Sequence, residues 1–210
     1  GLAHSTPKDS EKSLYYKINT DLAYEVGFKA AKEGVHQFIF MSSVIVYGSE
    51  SFKNSEKIIR KDTPLKPDNF YGDSKLQADV AIRELADDNF KVIVLRPPMI
   101  YGKGSKGNYP VLAKLAKKLP VFPDVDNERS MLYIENLCEF LCQVMLVRKI
   151  RQNAIVLIPQ NAEWTNTSAM VKQIANISGK KIAGLKVMRP AVAIGGKMPG
   201  KIGGLINKAF

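Results

Sequence analysis

The chain has 210 residues, 45% of them hydrophobic, 24% charged and 9% aromatic, with 31 Lys and Arg against 20 Asp and Glu for a formal net charge of +11. Those proportions supply a real core and exclude disordered, collagen-like and low-complexity chains. No apolar run approaches the ~18–20 residues of a membrane span, and Gly1-Leu2-Ala3-His4, followed by polar residues, does not read as a signal peptide. Basic residues fall singly or in pairs such as Lys117-Lys118 and Lys180-Lys181, without the aromatic–basic alternation that stacks bases. The charge excess therefore reads as a solvated surface, with no nucleic-acid and no membrane partner expected.

In chain order, Thr20 or Asp21 is expected to cap a helix running to about Glu33, where Gly34 stops it. Phe38-Ile39-Phe40-Met41 is the first of three nearly continuous apolar runs; Val92-Ile93-Val94-Leu95 and Ile155-Val156-Leu157-Ile158 are the others. Such runs read as strands buried on both faces of a parallel sheet. A second helix is predicted from about Asp73 to Asp87 and a third from about Ile134 to Val147. Cys138 and Cys142, four apart in that third pattern, are expected to be buried core thiols rather than a disulfide or a metal pair, which points to a reducing, cytoplasmic compartment. No metal site is expected.

The alternation of strand and helix predicts an α/β fold, a partial doubly wound parallel sheet with helices on both faces. Residues 1–158 form that domain, with 97–130 inserted into a smaller lobe that 159–210 continues. The insert carries a basic helix from about Tyr109 to Lys118, and the lobe a capped helix from about Thr167 to Ser178. Gly102, Gly104 and Gly107 spell a literal G-x-G-x-x-G. Arg96-Pro97-Pro98-Met99-Ile100-Tyr101 separates it from its strand, and paired prolines extend a chain instead of turning it tightly, so we read it as a decoy. The chain reads as the middle and later parts of a larger protein.

Tyr71-Gly72-Asp73-Ser74-Lys75 is a Y-x-x-x-K. At the start of a helix it puts phenol and ammonium on one face, where the positive charge lowers the tyrosine pKa from ~10 and makes a usable base. The strand at Met41 runs into Ser42-Ser43, and ligand sites of such sheets lie beyond the carboxyl ends of the strands. A serine there either orients a substrate hydroxyl or only ends the strand.

Together, residues 36–48 (HQFIFMSSVIVYG), 71–75 (YGDSK), 95–109 (LRPPMIYGKGSKGNY) and 129–137 (RSMLYIENL) resemble the extended short-chain dehydrogenase/reductase superfamily, and most of all the NAD-dependent epimerase/dehydratase family in its UDP-glucose 4-epimerase-like branch. The resemblance implies a Rossmann-type NAD(P)-binding domain and a substrate-binding lobe. It implies that Ser43, Tyr71 and Lys75 are catalytic, and that Asn19, Met41, Ser42, Pro97 and Ile100, with Tyr71 and Lys75, bind the cofactor. Of the substrate-binding residues it implies, Ser43 would orient the sugar hydroxyl, while Asn108 and Arg129 would grip a nucleotide-sugar diphosphate; arginine suits that role through its bidentate fork. The alternatives are a helix N-cap for Asn19 and a surface ion pair for Arg129.

The family's N-terminal glycine fingerprint and acidic ribose reader do not occur in this chain, and Gly1–His4 looks like the stretch just after the fourth strand, so NAD and NADP are not distinguished. Val44 and Ile45 stand where sugar dehydratases carry an acidic pair, which argues against dehydration. The resemblance thus implies an NAD-dependent nucleotide-sugar 4-epimerase. Alternatives are an NAD(P)-dependent sugar or ketone reductase or dehydrogenase of the same superfamily, a non-catalytic NAD(P)-binding sensor and, more remotely, a basic nucleic-acid-binding module. Homodimers through helices at about 20–33 and 73–88 are implied as well.

Overall fold

The computed structural model describes residues 9–48, 58–105, 108–147 and 149–196. After a 3₁₀ turn at Asp9–Glu11 come α1 (Lys12–Tyr16), a π turn (Lys17–Asp21), α2 (Leu22–Lys32), β1 (Gln37–Met41), a second 3₁₀ turn (Val44–Tyr47), α3 (Phe70–Glu84) and β2 (Lys91–Leu95). There follow β3 (Met99–Tyr101), α4 (Asn108–Lys118), β4 (Val121–Pro123), β5 (Met131–Tyr133), α5 (Ile134–Leu146) and β6 (Ala154–Leu157). The last described elements are α6 (Thr167–Ile177), β7 (Ala183–Leu185), a 3₁₀ turn (Lys186–Met188) and α7 (Arg189–Gly196). By its contacts the chain forms two compact units, residues 1–99 with 134–160 and residues 100–133 with 161–210.

The first unit is an α/β layer structure. The three apolar runs are parallel strands in the order β1-β2-β6, with Phe38 opposite Val92 and Val92 opposite Ala154. Side chains alternate across a strand, so each strand feeds two cores. Phe40, Val92 and Val94 pack with Ala78 and Ile82 of α3 and with Ala23, Ala30 and Ala31 of α2. On the other face Ile93 and Leu95 pack with Phe140, Leu141 and Val144 of α5. Strands sandwiched in this way have no polar face, which is why their sequences read as continuous apolar runs.

Helix boundaries depart from the sequence reading where polar side chains decide them. Neither Thr20 nor Asp21 caps a helix: Asp21 has helical dihedrals and makes no capping bond, and the helix continues back through the π turn to Lys12. Thr20 Oγ1 donates instead to the Ser74 carbonyl (2.9 Å). At the other end Gly34, at φ +76°, does stop α2; its N–H bonds to Ala31 O and that of Val35 to Ala30 O, a Schellman closure. α3 begins three residues earlier than expected, because Asn69 Oδ1 accepts from Gly72 N (3.0 Å) and caps it. Cys138 and Cys142 are both free and exposed, contrary to expectation. The buried stripe of α5 is Leu137, Phe140, Leu141 and Val144, and the two thiols lie off that stripe.

In the second unit β3 pairs with β5, and β4 pairs with β7 in parallel, Val121 opposite Ala183. Its core includes Leu112 and Ala116 of α4 and Met170, Val171 and Ala175 of α6. Asn166 Oδ1 caps α6 by accepting from Ala169 N (3.0 Å). Gly102 follows β3, outside the three-stranded parallel sheet, and its carbonyl closes a turn with Ser105 N. Gly107, the Asn108 side chain, Gly1–His4 and the chain after Gly196 lie outside the described residues.

Candidate active site

The first unit gathers Ser42, Ser43, Tyr71, Lys75, Asn19, Met41 and Pro97 around the carboxyl end of β1. Ser42 N continues the sheet by donating to Leu95 O (2.8 Å), and the chain then turns. Ser43 caps the turn: its Oγ accepts from Ile45 N (3.3 Å). A hydroxyl that accepts still has its own proton to donate. Val44 N donates to the carbonyl of buried Pro97 (3.2 Å), which ties the turn to the end of β2.

Gly72 brings the first turn of α3 against this turn. A Cβ at residue 72 would lie 2.8 Å from Pro67 Cβ and 3.1 Å from Ile45 O, so only glycine fits without displacement. The neighbouring Tyr71 is thereby carried to the turn that Ser43 caps. One helical turn on, Lys75 Nζ donates to Met41 O (3.2 Å) and lies 5.6 Å from the Phe40 ring centroid. The lysine of the Y-x-x-x-K is thus seated at the strand end beside Ser42-Ser43.

Electrostatics differ from the sequence expectation. Burial, with a smaller contribution from Tyr15, pushes the Tyr71 phenol above its usual value, and burial lowers the Lys75 ammonium. Desolvation penalises the charged form of each group. Tyr71 therefore rests as a neutral hydrogen-bond donor in this unit.

Asn19 is buried inside the π turn and is not an N-cap. Its Nδ2 donates to Ser74 Oγ (3.2 Å), which donates to Tyr71 O (2.9 Å). Asn19 thus holds the helix turn between Tyr71 and Lys75. A single π turn inside an α-helix is a common device at functional sites, because it redirects a side chain the regular helix would point elsewhere.

Met41, Lys75 and Asn19 also line a cleft of about 310 Å³ whose remaining walls are Ile18, Leu22, Ala23, Val26, Phe38 and Phe40. Ser42 Oγ is buried and has no hydrogen-bond partner among the described residues. A buried hydroxyl without a partner costs free energy and calls for a polar ligand.

One group was missed by the sequence reading. Arg96, directly after β2, is buried and grips Asp79 of α3 with both Nε (2.8 Å) and Nη2 (2.9 Å), while Nη1 donates to Tyr47 Oη (2.9 Å). Arg83 Nε donates to the same carboxylate (3.0 Å). Burial works against the Arg96 guanidinium, but the bonds and charge of Asp79 keep it above its ordinary value. The network bolts together the three elements that carry Ser43, Lys75 and Pro97. Its signal was a charged pair at the edge of apolar periodicity: Asp79 stands four residues after Lys75, and Arg96 follows four buried residues.

Ile100, Asn108 and Arg129 belong to the second unit. Ile100 is half-buried in β3. Arg129 forms a two-bond antiparallel bridge with Thr165, and burial lowers its guanidinium pKa, although arginine stays charged in proteins. Tyr101 there packs against Tyr109 and Tyr133, with ring centroids 5.6 and 5.5 Å apart.

The serine-capped turn and the tyrosine–lysine pair thus lie at the carboxyl end of a strand of a parallel sheet, where open α/β sheets bind their ligands. Residues 2–158 match the sequence profile of the NAD dependent epimerase/dehydratase family, and the chain belongs to that family. It is 29% identical over 193 residues to the UDP-glucose 4-epimerase of Vibrio cholerae, covering 90% of this chain and 58% of that protein. It is 30% identical over 192 residues to the N-acetyl-alpha-D-glucosaminyl-diphospho-ditrans,octacis-undecaprenol 4-epimerase of Escherichia coli O157:H7, covering 89% and 56%. The chain thus spans less than two thirds of the length of both relatives. Among solved structures, MoeE5 in complex with UDP-glucose and NAD shares the fold with a TM-score of 0.69 at 18% identity, over 100% of this chain and 75% of that one.

Proposed function

We propose that the protein is an NAD-dependent nucleotide-sugar 4-epimerase and that this chain carries its Ser43–Tyr71–Lys75 set. The observation that supports it most is Lys75 Nζ on Met41 O, one helical turn from Tyr71 and directly before Ser42-Ser43. The two 4-epimerase relatives support the reaction class. The partnerless Ser42 hydroxyl, the Lys75 ammonium and the cleft beside Asn19 and Met41 support a dinucleotide there, with Pro97, whose carbonyl accepts from Val44 N, beside them. NAD, when bound, supplies reversible oxidation of the sugar alcohol carbon.

The chain's own residues handle the proton. Tyr71 must first release its own proton to solvent; as the phenolate, its Oη accepts the proton of the 4-hydroxyl, and the neutral phenol so formed returns it to the 4-keto oxygen. Ser43, accepting from Ile45 N, donates its hydroxyl proton to the same substrate oxygen. Lys75 supplies the charge that offsets burial of a phenolate. Val44 and Ile45 add no acid or base, so the reaction stops at inversion without loss of water. Asn108 and Arg129 hold the diphosphate. The exposed Tyr24, Phe28 and Val80 on α2 and α3 support a homodimer through those helices.

The test is conversion of UDP-glucose or UDP-N-acetylglucosamine to its 4-epimer by the full-length protein, followed by NMR. Epimer formation without net change in NADH absorbance is expected. Net cofactor consumption in step with product would establish a reductase or dehydrogenase instead.

A further inference from the structure

Two glycines beside the candidate site face one dipeptide. Gly48 follows the 3₁₀ turn that Ser43 caps, at φ +62° and ψ 177°, a backbone region that is essentially glycine's alone. A Cβ built there would overlap the Lys66 carbonyl. Gly72, in the first turn of α3, faces the next residue along: a Cβ there would lie 2.8 Å from Pro67 Cβ. The Lys66-Pro67 peptide therefore lies between the turn after β1 and the helix that carries Tyr71, against the backbone of both.

Both ends of this dipeptide are fixed. Lys66 N donates to Tyr47 O (3.3 Å), and Tyr47 is itself held by Arg96, whose Nη1 donates to its Oη (2.9 Å). Two residues after Pro67, Asn69 caps α3 by accepting from Gly72 N (3.0 Å). The pyrrolidine ring presets one backbone dihedral at the entry to that cap. Ile45 stands where turn and helix meet. Its N–H donates to Ser43 Oγ (3.3 Å), and its carbonyl is the next atom that a Cβ at residue 72 would meet, at 3.1 Å. A shift of α3 against the turn thus reaches the Ser43 hydroxyl through a single residue.

We propose that Pro67 is a positioning residue: with the Lys66 carbonyl it forms a spacer that sets the separation between the Ser43 hydroxyl and the Tyr71 phenol. The inference rests on the epimerase reading for its effect on turnover, and on packing alone for its geometry. Where two groups must meet one substrate oxygen, a misplacement of about 1 Å costs on the order of 100-fold in rate, so the thickness of one proline ring has leverage. Pro67 acts through Gly72 and Ile45, on the elements that carry the two hydroxyls.

The experiment exchanges the contact in the full-length protein, with UDP-glucose as substrate. Gly72→Ala adds the methyl group that meets Pro67 and should lower kcat about tenfold, with KM changed by less than about twofold. Adding Pro67→Gly removes the opposing Cβ and should recover most of the lost kcat, whereas adding Pro67→Ala, which keeps that Cβ, should not. Stability moves the other way, because glycine in place of proline frees the unfolded chain and lowers the thermal midpoint. Recovery of kcat in the less stable double variant therefore separates positioning from folding. Hydrogen exchange at Ile45 N–H is a readout independent of the reaction: Gly72→Ala should speed it about tenfold and Pro67→Gly should slow it again. Should Gly72→Ala not fold alone, Pro67→Gly and Pro67→Ala are compared in the parent background, where the glycine should speed Ile45 exchange and lower kcat more than the alanine. Equal effects of the two replacements, or Ile45 exchange indifferent to residue 67, would overturn the spacer. Loss of turnover in Tyr71→Phe beside unaltered turnover in Gly72→Ala would overturn it as well and leave the epimerase reading standing. A parent protein without turnover, whose Ile45 exchange responds as expected, would overturn that reading and leave the spacer.

Discussion

Asp79 and Arg96 are charges that the first unit has taken inside, whereas Lys118, Lys181 and Lys186 are charges that the second unit leaves outside. In the first set Arg96 donates from Nε and Nη2 to a carboxylate and from Nη1 to a phenol, which joins the turn after β1 and the end of β2 to α3. The second set has no acidic residue near it in sequence. Buried charge can serve geometry because removing one partner strands the other in a medium that cannot solvate it. Exposed charge keeps its hydration whether or not a partner is present, so its removal strands nothing. The two units should therefore respond to mutation on different scales.

The largest effect falls on the buried set. Asp79→Ala leaves Arg96 enclosed without its carboxylate and should cost about 3–5 kcal/mol in urea denaturation. Lys118→Ala, on the exposed set, should stay within about 0.5 kcal/mol of the parent. Costs of similar size at the two positions would erase the contrast. Tyr71→Phe separates chemistry from packing within the first unit. In the full-length protein it should lower turnover by at least ~100-fold while the unfolding midpoint moves little. Near-parental turnover would rule Tyr71 out as the base.

Gly72→Ala tests the close approach of α3 to the turn capped by Ser43. Overpacking against Pro67 and Ile45 should cost about 1–3 kcal/mol, read by thermal unfolding, and lower turnover as well. A neutral effect would mean that the turn yields easily. Asn69→Ala removes only a helix cap and should cost about 1 kcal/mol.

The smallest effect is spectroscopic. Tyr16 Oη donates to Asp73 (2.7 Å), and this bond, then burial and the carboxylate charge, push its pKa up to about 12. A raised folded-state pKa gives stability that is complete below the unfolded value of ~10 and disappears as pH rises through the folded one. In an ultraviolet alkaline titration, Asp73→Asn should return one tyrosine toward ~10. An unchanged curve would show that the bond does not persist in solution.

The parallel sheet was legible because strands buried on both faces have no reason to carry polar residues. The Y-x-x-x-K and the serine pair were legible because their spacing places them on one helix face and at one strand end. Ranking by residue type misled at Cys138 and Cys142: cysteine is often buried, but the turn of α5 put its inner stripe elsewhere. Asp79 was passed over because a carboxylate on an amphipathic helix ordinarily faces water, and Arg83 with Arg96, seventeen residues on, makes its burial tolerable. The three-residue strands of the second unit are too short for any alternation to register. The sign of the Tyr71 shift could not be read either, since desolvation depends on what surrounds the ring and not on its neighbour four residues away.

The π turn at Lys17–Asp21 sets the rotational phase of everything before it. Tyr15 meets Phe70 and Tyr71 edge-on, with centroids 5.2 and 5.8 Å apart, and Tyr16 reaches Asp73, while Asn19 faces Ser74. Losing one position in the turn would let a regular helix run through and swing Tyr15 and Tyr16 by about 100° about the axis. The segment should accordingly accept many exchanges of side chain at Lys17 or Asp21 yet reject a single deletion, because what it conveys to α3 is a count of residues.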